Sequence, residues 1–184
     1  MSRRWGHRHL LFDLRLTTTH TEHTMTARLS LFGNPDAPAA RAAGHFGTAS
    51  KTILQDSTLP AALQKLVLLR ASQINGDGYA TDVWAKNAAA AGESATRIHL
   101  VAAWHESTVF TDAERAALAL TEQGTRVADA AGGVGDEAWT DAAKHYDQDQ
   151  LADLVMLIAL INATNRMSVI VRQRGGDYEP GRLG

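Results

Sequence analysis

The chain has 184 residues, 18 Lys and Arg against 20 Asp and Glu, eight His and no Cys, for a formal net charge of −2. That length suits one domain with a short extension and buries a core without disulfides or a structural metal. Without thiols, disulfide frameworks, thiolate zinc sites, iron–sulfur ligation and cysteine nucleophiles are excluded, and the slightly acidic balance argues against a nucleic-acid partner.

Residues 1–24 stand apart from the rest. They carry Arg3, Arg4, Arg8 and Arg15 against Asp13 and Glu22, and half of the histidines: His7, His9, His20 and His23. Asp13 and Arg15 interrupt the apolar stretch Leu10–Leu16, so it makes a poor secretory signal. We read 1–24 as a disordered extension and 25–184 as the folded domain, with Met25 as an alternative start.

From Met25 onward helix-period apolar spacing dominates, and no hairpin turn separates alternating strands. The pattern predicts seven helices. The first runs from Pro38 to about Ser50, after Asp36. The second runs from Pro60 to about Ile74, with Leu63, Leu66, Val67 and Arg70 on one face and Pro60 in its first turn. The third spans Asp77–Ala91 and stops at Gly92. The fourth spans Ser94–Trp104. The fifth opens on Thr111-Asp112-Ala113-Glu114, a capping box, and runs to Ala130, where Gly132, Gly133 and Gly135 break it. The sixth spans Asp136–Tyr146. The last, from about Asp149 to Arg172, is apolar nearly all round between Leu151 and Ile161, which predicts burial in a core or between subunits. The charge-free run Leu154–Ile161 is short of the ~20 residues of a membrane span, so no membrane partner and a cytoplasmic location are expected.

The chemistry-bearing segment is 59–91. A helix ends near Asn75-Gly76 and another opens at Asp77, whose carboxylate sits in the positive field of the helix N-terminus. Asp77, Ala80, Thr81 and Trp84 then share a face. An ordinary N-cap explains Asp77 equally well. Gly132-Gly133-x-Gly135 follows a helix and not a strand, so it is no phosphate loop. His99 and His105 are six apart and share no face. His105 and His145 read as cations at helix ends. Asn162 and Asn165 sit, with Arg166, in an apolar helix, where buried amides need partners.

Several separated motifs, in order, resemble the alkylhydroperoxidase D (AhpD)-like group of the carboxymuconolactone decarboxylase family. They are Leu66-Val67, then Arg70-Ala71-Ser72-Gln73-Ile74-Asn75-Gly76, then Lys86, Ala88 and Gly92, then Ala102-Ala103-Trp104, then 110–122, and finally Ile161-Asn162-Ala163-Thr164-Asn165-Arg166. The resemblance covers about 25–172 and implies an all-α, AhpD-like helical domain that forms homo-oligomers, trimers or hexamers.

In the family's peroxidase members a Cys-x-x-Cys pair does thiol–disulfide chemistry while a Glu one helix earlier and a His move protons. The resemblance puts Lys65 at the Glu position, Asp77 and Ala80 at the Cys positions and Trp84 at the His position. Thiol peroxidase chemistry is therefore excluded for this polypeptide, and the loss of both Glu and His weakens the decarboxylase reading too. If the family geometry holds, Lys65 and Asp77 face each other within direct or single-water contact as an acid–base pair. Tyr79, Thr81 and Trp84 would then complete a remodelled pocket for a small organic molecule. The alternative is a non-catalytic relative, with a dead site plugged by Trp84, that serves as a structural, oligomer-forming or binding protein. No metal and no cofactor are expected.

Overall fold

A computed structural model describes residues 27–129 and 132–181, so the 1–24 arm lies outside the described residues. The described chain is all helical. α1 spans Pro38–Asp56, α2 Ala61–Ile74, α3 Gly78–Ala90, α4 Ala95–Leu100, α5 Asp112–Thr125, α6 Asp136–Ala143 and α7 Gln148–Val171, with a 3-10 segment, Val101–Glu106, after α4. The seven predicted helices are present, and their starts follow local chemistry. Ser94, Thr111 and Asp147 each cap a helix through the side chain, and Thr111 and Asp147 do so in full capping boxes.

Several boundaries differ from the sequence expectation; α6, for one, stops at Ala143 and not at Tyr146. α1 continues to Asp56, carrying Ile53 and Leu54 onto the core. The fourth helix gives way after Leu100 to the 3-10 segment, within which Ala103 leaves helical geometry at φ −120°, ψ 35°. α5 stops at Thr125 and not at Ala130: residues 126–129 are exposed, so a longer helix would bury nothing.

α2 is the central element. It packs on α3, α5, α7 and the 3-10 segment, and its Leu66, Val67 and Leu69 are fully buried. One apolar cluster joins Leu63, Val67 and Leu68 of α2 to Leu120 of α5 and to Leu154, Leu157 and Ile161 of α7. A second joins Leu66 and Leu69 to Val101, Trp104, Phe110 and Leu118. Each such leucine contributes about 2 kcal/mol by leaving water. α7 has 24 residues and contains an 18-residue window with a mean hydropathy of 1.8, so by length and composition it could cross a membrane. It packs instead along α1, α2 and α5, and keeps an exposed apolar side with Val155, Met156, Val169 and Ile170.

After α7 the chain turns through Arg172, in the left-handed region at φ 56°, and returns over α3 as a strap. Gly175 lies so close to α3 that a Cβ there would stand 2.2 Å from the Gly78 carbonyl oxygen. The Asp82 carboxylate accepts from the backbone N–H groups of Gly176 and Tyr178, and the Lys86 ammonium donates to the carbonyls of the same two residues. Burial works against the Asp82 charge, but the bonds from Lys86 and these N–H groups prevail and lower its pKa.

Candidate functional site

The turn between α2 and α3 sets a carboxylate against a cavity. Gly76 takes φ 65°, a value a side chain would resist, and Asp77 follows as N-cap of α3. Its Oδ1 accepts from the Ala80 N–H at 3.0 Å, and its Oδ2 accepts from Nδ2 of Asn165 on α7 at 2.9 Å. Asp77 is 2% exposed, the one ionisable side chain among the fully buried polar residues described.

The amides expected to need partners supply the frame. Asn165 Nδ2 also donates to Ser72 Oγ, and Asn75 Nδ2 donates to the side-chain oxygens of both Asn162 and Asn165. Asn162 in turn donates to Thr125 Oγ1 and the Ile158 carbonyl. This network ties the ends of α2 and α5, the start of α3 and the middle of α7 together. Because the bonds of Asn162 Nδ2 and Asn165 Nδ2 are buried, losing one partner strands another.

A cavity of about 630 Å³ opens beside Asp77, between α1, α3 and α7. Small-molecule sites are typically of this size and mostly apolar. α3 contributes Tyr79, Ala80, Val83 and Trp84, and α7 contributes Leu157, Leu160, Ile161 and Thr164. α1 closes the third side with Thr48, Lys51 and Leu54. Burial, with the nearby Tyr178, Asp77 and Asp82, pushes the Tyr79 phenol up, so it keeps its proton at neutral pH. Among the described residues no group of three or more His, Asp or Glu side chains is placed to hold a metal.

Asp77, Tyr79 and Trp84 of the predicted site are thus brought to one cavity; Thr81 and Lys65 do not line it. The expected contact between Lys65 and Asp77 is not made. Lys65 Nζ donates at 3.1 Å to the Ala61 carbonyl of its own helix, at the surface. The reason is energetic. The Lys65 ammonium finds an acceptor on its own helix and keeps its water there, while the bonds Asp77 receives come from the Ala80 N–H and the Asn165 amide. The α1 wall is absent from the sequence expectation. Its only signal is the polar stretch Thr48-Ala49-Ser50-Lys51 within an otherwise apolar-faced helix.

A second carboxylate sits on the other side of α2. Glu122 Oε1 accepts from Trp104 Nε1 at 2.9 Å and from Arg70 Nε at 2.7 Å, and Arg70 Nη2 also contacts it. The His105 ring stacks on Trp104 and approaches Glu122 Oε2 at 3.5 Å, a more specific place than a helix-end cation. Burial would raise the Glu122 pKa, but the bonds from Trp104 and Arg70 and the Arg70 charge hold it below the ordinary value.

Comparison with known proteins places this architecture. The sequence profile of the carboxymuconolactone decarboxylase family matches residues 35–123. The uncharacterised protein YdfG of Bacillus subtilis is 33% identical over 120 residues, 65% of this chain and 80% of that protein. A protein of unknown function from Agrobacterium tumefaciens, for which an AhpD antioxidant defence role has been suggested, superposes with a TM-score of 0.75 at 27% identity. That match covers 83% of this chain and all (100%) of the other. A debrominase, solved alone and with 2,3,4-tribromopyrrole, has the same fold at a TM-score of 0.66 and 20% identity, covering 73% of this chain and 71% of its own. The seven-helix frame, the ordered motifs and these matches together make the chain a cysteine-free, AhpD-like member of the carboxymuconolactone decarboxylase family.

Proposed function

We propose that this protein binds a small organic molecule in the cavity beside Asp77, and that binding there, not thiol redox chemistry, is its activity. The observation that carries the reading is an apolar cavity of about 630 Å³ with a fully buried carboxylate on its wall. The resemblance puts that carboxylate where peroxidase relatives carry a thiol. A cavity that served only stability would be filled, since empty apolar space costs packing energy. The debrominase of the same fold takes a small halogenated heterocycle, which supports a ligand of comparable size here.

Asp77, Tyr79 and Trp84 are the residues we assign to the ligand. Lys65, bound to its own helix, has no part in this scheme, and Thr81, which does not line the cavity, is left out of it. Any proton transfer would therefore fall to Asp77 without a lysine partner, which favours a binding protein over an acid–base enzyme. Trp84 supplies the test. A saturable change in its fluorescence during a screen of small aromatic and aliphatic compounds, absent in Trp84→Phe, is the expected result. No response from any compound, with the protein folded, would contradict the reading. Purified protein should also fail to reduce hydroperoxides with a dithiol donor.

The same proposal takes the protein to act in the cytoplasm as a homo-oligomer, built through the exposed apolar side of α7. Ile170 is 66% exposed and Val155 and Met156 nearly half exposed, a liability for an isolated copy. Light scattering of the full chain should give a trimer or hexamer mass, and Met156→Glu should lower it.

A further inference from the structure

The charges around the cavity point to the kind of molecule it holds. Its lining has two charged side chains, Asp77 and Lys51. They occupy different depths: Asp77 is buried, whereas Lys51 on α1 is exposed and marks the mouth. Neither has an ion-pair partner among the described residues.

Asp77 is unusual in that respect. The other enclosed carboxylates carry a cation: Glu122 has Arg70, Glu93 and Glu114 share Arg97, and Asp82 has Lys86. Asp77 is more buried than any of these, yet its donors are the Ala80 N–H and the Asn165 amide, both neutral. A carboxylate has about four acceptor positions, and these bonds use two. A charge taken from water without a counter-charge is costly, and the fold supplies no cation to offset it. Tyr79 and Trp84 line the same cavity, and the face of an aromatic ring attracts a cation and repels an anion.

We propose that the ligand is an organic zwitterion with an apolar body, its ammonium or amidinium meeting Asp77 beside Tyr79 and Trp84 and its carboxylate meeting Lys51 at the mouth. This rests on the reading of the cavity as a binding site and adds the charge pattern of the occupant. The cation gives Asp77 the partner that the chain withholds. The apolar body covers Val83, Leu157 and Leu160. A simple carboxylic acid would face Asp77 with the wrong charge.

The test uses the full chain and five probes in calorimetric or fluorescence titrations. Four share one ring: 4-(aminomethyl)benzoate, benzylamine, 4-methylbenzoate and benzyl alcohol. The fifth, N-phenyl-1-naphthylamine, reports an apolar cavity whatever its charge preference. The expected order is 4-(aminomethyl)benzoate first, then benzylamine, which binds about tenfold or more tightly than 4-methylbenzoate. Asp77→Asn keeps the helix cap and should remove the preference for benzylamine over 4-methylbenzoate. Lys51→Met should bring 4-(aminomethyl)benzoate down to the level of benzylamine.

Equal or better binding of 4-methylbenzoate or benzyl alcohol in the wild type would overturn the charge assignment and leave the cavity reading standing. Binding of N-phenyl-1-naphthylamine with no displacement by any of the four would do the same. If that probe fails to bind as well, both readings fall.

Discussion

Two carboxylates flank α2, and they are built on opposite principles. Glu122 is closed: an arginine, an indole N–H and a histidine surround it, and its charge is answered within the chain. Asp77 is open: neutral donors hold its geometry, and the space beside it is a cavity. The first arrangement fastens α2, α5 and the 3-10 segment together. The second leaves a charge for something else to meet. Burial of an acid is therefore no guide to its role; what answers its charge is.

The largest expected effect breaks the closed side. Arg70→Met leaves Glu122 without its guanidinium and should destabilise the fold by about 3 kcal/mol, read by chemical denaturation. The folded-state pKa of Glu122 lies below its ordinary 4.5, so its contribution is complete above that value and disappears as pH falls through the lowered one. Arg70→Met should accordingly move the acid-unfolding limb to higher pH. An unchanged limb would mean that the pair carries no linked stability.

On the open side the charge should matter less than the shape. Asp77→Ala removes the cap and strands Asn165 Nδ2, at a cost of about 2 kcal/mol. Asp77→Asn keeps an acceptor for the Ala80 N–H but turns an amide donor toward Asn165 Nδ2, so it should cost about 1 kcal/mol, less than Ala. A penalty for Asn as large as that for Ala would show that the Asp77 charge, and not the cap, is what the fold uses, as in Glu122.

The sequence made most of the frame legible and the site only in part. Capping residues, the glycine after Asn75 and the 3.6-residue spacing mark the helices because these are local effects. Asn162 and Asn165 declare themselves as polar groups in an apolar run, although their partners lie 87 and 90 residues away at Asn75. The expected Lys65–Asp77 contact follows from the family's carboxylate–thiol geometry. It fails because a lysine reaches its own helix carbonyl and water more cheaply than a buried acid. The α1 wall leaves only the stretch 48–51 as a trace in the sequence, since its small and polar residues acquire meaning only through the packing of α1 on α7.

Two smaller effects sharpen the comparison. Gly175→Ala puts a methyl into the Gly78 carbonyl and should lift the strap, costing about 1 kcal/mol and exposing 172–181 to proteolysis. Protection equal to wild type would mean that the strap can shift without detaching. Lys65→Met should change stability by less than about 0.5 kcal/mol and leave ligand titrations untouched, as expected of a surface side chain. Coupling between Lys65→Met and Asp77→Asn in a double-mutant cycle would restore the pair that the structure lacks.

The sharpest experiment fills the open side. Thr164 lines the cavity from α7 and is half-buried, so Thr164→Phe places a ring in the space without disturbing Asp77 or its amides. Titration of wild type and Thr164→Phe with the tightest compound from the Trp84 fluorescence screen is the deciding measurement. Saturable binding to the wild type and its loss in the folded variant are expected. Equal binding to both would put the ligand elsewhere and leave Asp77 as a helix cap alone.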